Sequence, residues 1–308
     1  MKIIAPDYYK DFKCIADKCR HSCCIGWEID IDHISLEKYL AENSSLGNKL
    51  SGNIIIDEYP HFKLTDDERC PFLNSNNLCE LILEKGEDFL CQICTDHPRF
   101  KNFIGNRMEI GLGICCEAAA AIILTKKEKT RLITTAEDNN DLSSFEELVL
   151  DMRQKALLII TDRNMTVEKR VEKLIRDFEI LFPQKNYSQW ADFFLSLERL
   201  DPLWEKEILK LNIKENENFP VLEFEIPFEQ LLVYFIYRHL PLSQGEIDIK
   251  AQLAYSVLAY KIICRILSAS ENPTMAALLE LSSLYSSEIE YSEENTDKIL
   301  ELLWLQNN

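Results

Sequence analysis

Apolar residues change their rhythm near residue 125. Before that point the apolar pieces are brief, as in HFKL, CPFL and LCEL, and turn-formers such as Asn74, Ser75, Asn76 and Asn77 separate them. Such spacing predicts small hairpins and single-turn helices. NRMEIGLGI predicts a strand and CCEAAAAIIL the start of a helix. Residues 125–143 read as a polar linker. From there the period is helical: Ser144 with Glu147 reads as a capping box, and Phe145, Leu148, Met152, Ala156 and Ile159 fall on one face. A second helix follows Thr166 through Val167, Val171, Leu174, Phe178 and Leu181 until Pro183, and a third runs from Ser188 through Trp190, Phe194 and Leu197 to Pro202. Further helices are predicted at 203–211, 228–240, 247–268, 274–290 and 295–306, with Thr274 and Asn295 as caps. The fold class is mainly α. A cysteine-rich, irregular, metal-binding N-terminal region with short hairpins, residues 1–124, is expected to pack on an all-α helical part, residues 144–308.

Within the predicted bundle, Trp190, Phe193, Phe194, Trp204, Phe235, Tyr237 and Trp304 recur at helical spacing and read as core. Cys264 reads as a small buried hydrophobe and His239 as a helix-end residue.

Charge narrows the partners. The chain of 308 residues carries a net charge of −18, and phosphate contacts need a basic surface, so nucleic acid is not an expected partner. No signal-like segment is seen, and the longest apolar candidate, LAYSVLAYKIICRIL, is interrupted by Lys261 and Arg265, so no membrane partner is expected and the cytoplasm is. A reducing compartment disfavours structural disulfides and leaves metal binding or redox chemistry for the cysteines.

Of 11 cysteines, all but Cys264 lie between Cys14 and Cys116. They are spaced C-x4-C-x3-C-C, then C-x8-C-x11-C-x2-C, then C-C. Soft sulfur ligands at this density point to zinc or an iron–sulfur centre. Four positions apart, Cys19 and Cys23 would share a helical face, and Cys24 needs a turn or a helix terminus to converge with them. Cys70, Cys79, Cys94, Cys115 and Cys116 bring the thiolates beyond what one tetrahedral zinc uses, with Cys14 and Cys91 as further candidates. Neither radical-SAM nor ferredoxin spacing is present: Gly26 stands where the third cysteine of C-x3-C-x2-C falls. Cys91 and Cys94 form C-x-x-C, which keeps a redox dithiol open. No dinucleotide or P-loop glycine motif occurs.

The strings CRHSCCIGWEIDID, CPFLNSNNLCELILEKGEDFLCQICTDHPRF and ICCEAAA resemble the flagellin lysine N-methylase family, which shares elements with the broader CxxxCC metal-chelating proteins. The matching positions are Cys19, Cys23, Cys24, Gly26 and Trp27; then Cys70, Pro71, Phe72, Leu73, Cys79, Gly86, Glu87, Cys94, Pro98 and Arg99; then Cys115 or Cys116 with Glu117. The resemblance implies S-adenosylmethionine-dependent methylation of lysine on flagellin, or on another protein substrate, with a [4Fe-4S] cluster on the family's cysteines and zinc as the alternative. His97, Arg99 and Glu117 are the candidate catalytic residues. Arg99 reads as a clamp for the donor's carboxylate, or as a salt bridge to Asp96 or Glu117; Glu117 as a proton acceptor or a helix-start carboxylate; Trp27 as a packing anchor over the cysteine loop. A zinc-structured binding module and a thiol redox or metal-handling protein are the competing functions.

Overall fold

The computed structural model describes residues 1–136, 142–214 and 221–308. Its backbone divides into a cysteine-rich unit, Lys13–Arg99, and a helical unit built from Met1–Phe12 and Phe100–Asn308. The first unit is thus an insertion in the second, and the division falls at Arg99 rather than near residue 125.

The chain opens with strand β1 (Lys2–Pro6). The cysteine-rich unit follows, with α1 (His33–Leu40), α2 (Ser45–Gly52), a two-residue ladder of β2 (Ile54–Ile55) and β3 (His61–Phe62), α3 (Glu80–Lys85) and α4 (Gln92–Asp96). These elements are as short as the broken apolar pattern predicts. Asp32 fixes two of them: one carboxylate oxygen accepts from Ser35 N at 3.0 Å and caps α1, while the other accepts from Gln92 N at 2.8 Å at the start of α4. The unit has its own core of Ile29, Ile31, Tyr39, Leu50, Phe62 and Phe72, into which Cys70 and Cys91 are packed.

The chain returns through β4 (Arg99–Ile104), β5 (Arg107–Leu112), α5 (Glu117–Leu124) and β6 (Leu132–Ala136). The sheet order is β4-β5-β1-β6, with β1 parallel to β5 (Lys2 opposite Arg107) and antiparallel to β6. The expected linker therefore holds a strand at Leu132–Ala136, while its residues 137–141 lie outside the described residues. Gly111 is required where β5 passes Phe100, because a Cβ there would stand 2.2 Å from the ring.

Helices then run in succession: α6 (Ser144–Ile160), α7 (Val167–Asp177), α8 (Tyr187–Leu195), α9 (Pro202–Leu209), α10 (Val221–His239), α11 (Glu246–Ser268), α12 (Met275–Tyr285) and α13 (Glu293–Asn307), with a π-helical turn at Ser286–Glu290. Side-chain oxygens mark most starts, including Thr166, Asn186, Asp201 and Thr274. The capping box before α6 is Ser143 with Glu146, one residue earlier than the pattern indicated, and α13 is capped by Ser292, with Asn295 receiving the cap at its third position. The second helix stops at Asp177 instead of Pro183, because Glu179 turns into the left-handed region at φ 52°. α10 and α11 form the buried centre of this unit, and Trp190, Phe194, Trp204, Phe235 and Tyr237 are core residues as expected; Trp304 is 36% exposed and is not.

Candidate metal centre

Four separated segments of the cysteine-rich unit bring five thiols together. The backbone of Cys70 donates to the carbonyl of Cys24 at 2.8 Å, and Leu73 pairs with Cys79, so the Cys24 loop, the Cys70 turn and the start of α3 lie side by side. Cys79 and Cys91 occupy the N-cap positions of α3 and α4, and Cys94 sits within α4. All five pack in one apolar cluster with Phe72, Leu81 and Ile93.

Their electrostatics act as a group. A hydrogen bond from Cys23 brings the Cys24 thiol down to about 7, and one from Cys94 brings Cys91 to about 7. Cys94, which keeps the shared proton, is pushed up. Burial pushes Cys70 up to about 12 and raises Cys79. The neighbouring thiols Cys24, Cys79 and Cys91 add to the rise at Cys70, and Cys24 and Cys70 add to that at Cys94. Five sulfurs within electrostatic reach, two of them already near thiolate, form a donor set that suits a soft ion or cluster. Among the described residues, no group of three or more His, Cys, Asp or Glu side chains is placed to hold a metal ion, so ligation by these thiols would require them to turn toward one another and release protons.

The other predicted residues lie elsewhere in the cysteine-rich unit or in the helical unit. Cys14 is exposed and accepts from Ala16 N at 3.4 Å; Cys19 gives its thiol proton to the carbonyl of His21 at 3.1 Å; Cys23 is exposed and serves Cys24. Trp27 donates from Nε1 to the carbonyl of Cys23 at 2.6 Å and packs against the cysteine cluster, with the His97 ring 6.5 Å away. Burial, then the charge of Arg99, holds His97 down to about 4, so its ring is neutral at physiological pH. Arg99 donates to the carbonyl of Thr95 at 3.0 Å. Glu117 opens α5, where a carboxylate complements the helix dipole.

Cys115 and Cys116 belong to the helical unit, with Cys116 as the N-cap of α5. Burial pushes Cys115 up to about 12, and the Tyr291 hydroxyl donates to its sulfur. Beside it stands a buried polar hub that the sequence pattern did not reveal. The carboxylate of Glu290, in the π-helical turn, receives His239 Nε2 at 2.5 Å, the Tyr234 hydroxyl at 2.9 Å and Arg238 Nε at 3.3 Å. The Arg238 guanidinium lies 5.1 Å from the ring centres of both Phe100 and Tyr291. Burial works against the Glu290 charge, yet Arg238 and His239 hold the carboxyl below its usual range.

The site is thus a cluster of five thiols in a small inserted unit, a donor chemistry that would suit a soft metal ion. The chain is similar to two proteins named lysine-N-methylase, from Salmonella choleraesuis strain SC-B67 and Salmonella typhimurium strain LT2, each 26% identical over 121 residues. It is equally similar over 121 residues to the flagellar biosynthetic protein FliU of Salmonella muenchen. The match takes in 37% of this chain, 30% of the length of the two methylases and 72% of FliU. No protein-family model matches the chain. No solved structure matches it.

Proposed function

We propose that this protein transfers methyl groups from S-adenosylmethionine to lysine side chains of a protein, with flagellin as the expected acceptor, and that its cysteine-rich unit holds a [4Fe-4S] cluster. The convergence of Cys24, Cys70, Cys79, Cys91 and Cys94 carries this reading, and the relatives named for lysine methylation and flagellar biosynthesis support it. Three or four of the five thiolates suffice for the cluster, and three leave one iron open. A cluster bound there supplies a Lewis-acidic iron for the amino and carboxylate groups of the donor.

In the transfer, the lysine nitrogen forms the new N–C bond as the S–CH3 bond breaks. The electron pair goes to sulfur, which leaves as a neutral thioether, and the nitrogen sheds its proton. His97 is a poor recipient for that proton. Its value of about 4 lies roughly six pH units below that of a free lysine, a gap of about 9 kcal/mol. The ring instead packs near Trp27, and Arg99, carried on the same turn, is the candidate clamp for the donor's carboxylate.

A redox dithiol fits less well. Cys91 is acidic enough to react, but it is fully buried, whereas exchange-active thiols are partly exposed. Zinc on four of the same thiols is the second reading, because four sulfurs also satisfy a closed tetrahedral site.

The test is purification without oxygen, a count of iron, inorganic sulfide and zinc, and mass spectrometry of flagellin incubated with the methyl donor. Four irons with matching sulfide and +14 Da steps on lysine are expected for methyl transfer. Zinc without sulfide and an unchanged flagellin mass overturn the proposal.

A further inference from the structure

The helix that carries Cys94 also walls a groove. Ile93 and Asp96 of α4 face Ile31, Tyr59 and Pro60 across a space of about 450 Å³, a volume in the range of specific ligand sites. Its surface is mainly apolar, and its charged lining is acidic throughout: Asp30, Asp32 and Asp96, with no lysine or arginine among the described lining residues. The three acids are not equivalent. Asp32 spends its two oxygens on the backbone N–H groups of Ser35 and Gln92, so its task is to hold α1 and α4 in place. Asp30 is exposed, and Asp96 is half-buried and has an interaction of its own while adding its negative charge to the lining.

An apolar channel with carboxylates at its edge matches one kind of protein side chain: an unbranched run of methylenes ending in an ammonium. Arginine shares the charge, but its planar fork seeks paired acceptors, and glutamate or phosphate is repelled. We propose that this groove seats the acceptor lysine of the protein substrate, its methylenes against Ile31, Pro60 and Ile93 and its ammonium drawn by Asp30 and Asp96. The occupant's identity rests on the lysine-methylation reading. The proximity to the thiol centre is independent of it, since Ile93 and Cys94 are consecutive residues of α4 and both pack in the cysteine cluster. The ring of Tyr59, 67% exposed, adds a face for the cation at the mouth.

Binding tests this without requiring turnover. A fluorescent peptide carrying one lysine, and its twins with norleucine or acetyl-lysine at that position, are titrated against the full-length protein by anisotropy at two salt concentrations. The lysine peptide is expected to bind about tenfold tighter than the norleucine peptide, with the advantage shrinking at high salt. The double substitution Asp30→Asn with Asp96→Asn should remove most of that advantage while leaving the norleucine peptide unchanged. Asp30→Lys alone, at an exposed position, gives a second variant with little risk to the fold. Equal binding of lysine and norleucine peptides, no binding of the lysine peptide at millimolar protein, or an unchanged preference in the aspartate variants overturns the groove. Methyl transfer with an unaltered KM in the double variant refutes the groove and spares the activity. Charge-selective binding without any methyl transfer by the wild type refutes the activity and spares the groove.

Discussion

Replacing Arg238 by methionine removes the guanidinium from the buried hub of the helical unit and leaves the methylene stem. Glu290 has no solvent exposure, so it cannot recover water in place of the lost partner. It keeps its hydrogen bonds to the Tyr234 hydroxyl and to His239, and burial disfavours a proton on the His239 ring, so neither partner replaces the full charge of the guanidinium. Breaking a buried pair from one side typically costs about 3–5 kcal/mol. The helical unit has about 220 residues, for which each kcal/mol moves the melting temperature by roughly 2–4 °C, so Arg238→Met should lower Tm by about 6–20 °C. Acidity supplies an internal check. Without Arg238 the folded-state value of Glu290 rises above its unfolded value, so the penalty is full at neutral pH and shrinks as pH falls and the carboxyl takes up its proton. Adding Glu290→Gln to Arg238→Met should recover much of the loss at pH 7 and little at pH 4.5. Thermal melts by circular dichroism at the two pH values decide the matter. A single variant that melts within 2 °C of the wild type, or a deficit that grows as pH falls, refutes the reasoning.

Serine at Cys24, Cys70 and Cys91 together leaves fewer thiols than a cluster needs and should strip most iron and sulfide from protein isolated without oxygen, whereas Cys14→Ser, at an exposed thiol, should keep the full complement; colorimetric counts check both. Asp32→Ala should destabilise the cysteine-rich unit by about 1–2 kcal/mol, since it removes the cap of α1 and the acceptor for Gln92 N. Burial opposes the Asp32 charge, but those N–H donors hold its value below the ordinary one, so its contribution is complete above about pH 5 and lost as pH falls through the folded value. Urea melts should therefore show the wild type converging on the variant in acid. His97→Asn should leave the pH profile of methyl transfer unchanged between pH 6 and 9, because the ring stays neutral down to about 4, and a shifted acidic limb would return His97 to the reaction.

The helices were legible because their starts are chemical: Thr166 and Thr274 cap where the period begins. The error of one residue before α6 came from Ser143 and Ser144, which offer the same hydroxyl with a glutamate three residues on; the structure caps with the first. The division of the chain was not legible. Composition separates residues 1–124 from the rest, but β1 finds its parallel partner about a hundred positions later, and no local pattern announces which distant strand will complete a sheet. Within the site, spacing marks the cysteines without ranking them. Cys91 drew less weight than Cys19 in the motif, yet Cys91 is the one with no exposed surface, because the Asp32 contact to Gln92 pins the start of α4 against the core. Glu290, in the polar SSEIE turn, and Arg238, near the end of α10, were invisible for a related reason, since a charged residue shows its partner only after folding.

The interleaved strand order also sets a schedule for synthesis. β1 leaves the ribosome with nothing to pair with until Arg107–Leu112 has been made, a wait of roughly 5–20 s at ordinary elongation rates. Every residue of Lys13–Arg99 is translated inside that interval. The nascent chain therefore has its clustered thiols translated before the sheet of the helical unit can close, and folding of the inserted unit and closure of that sheet become successive events in the life of one polypeptide.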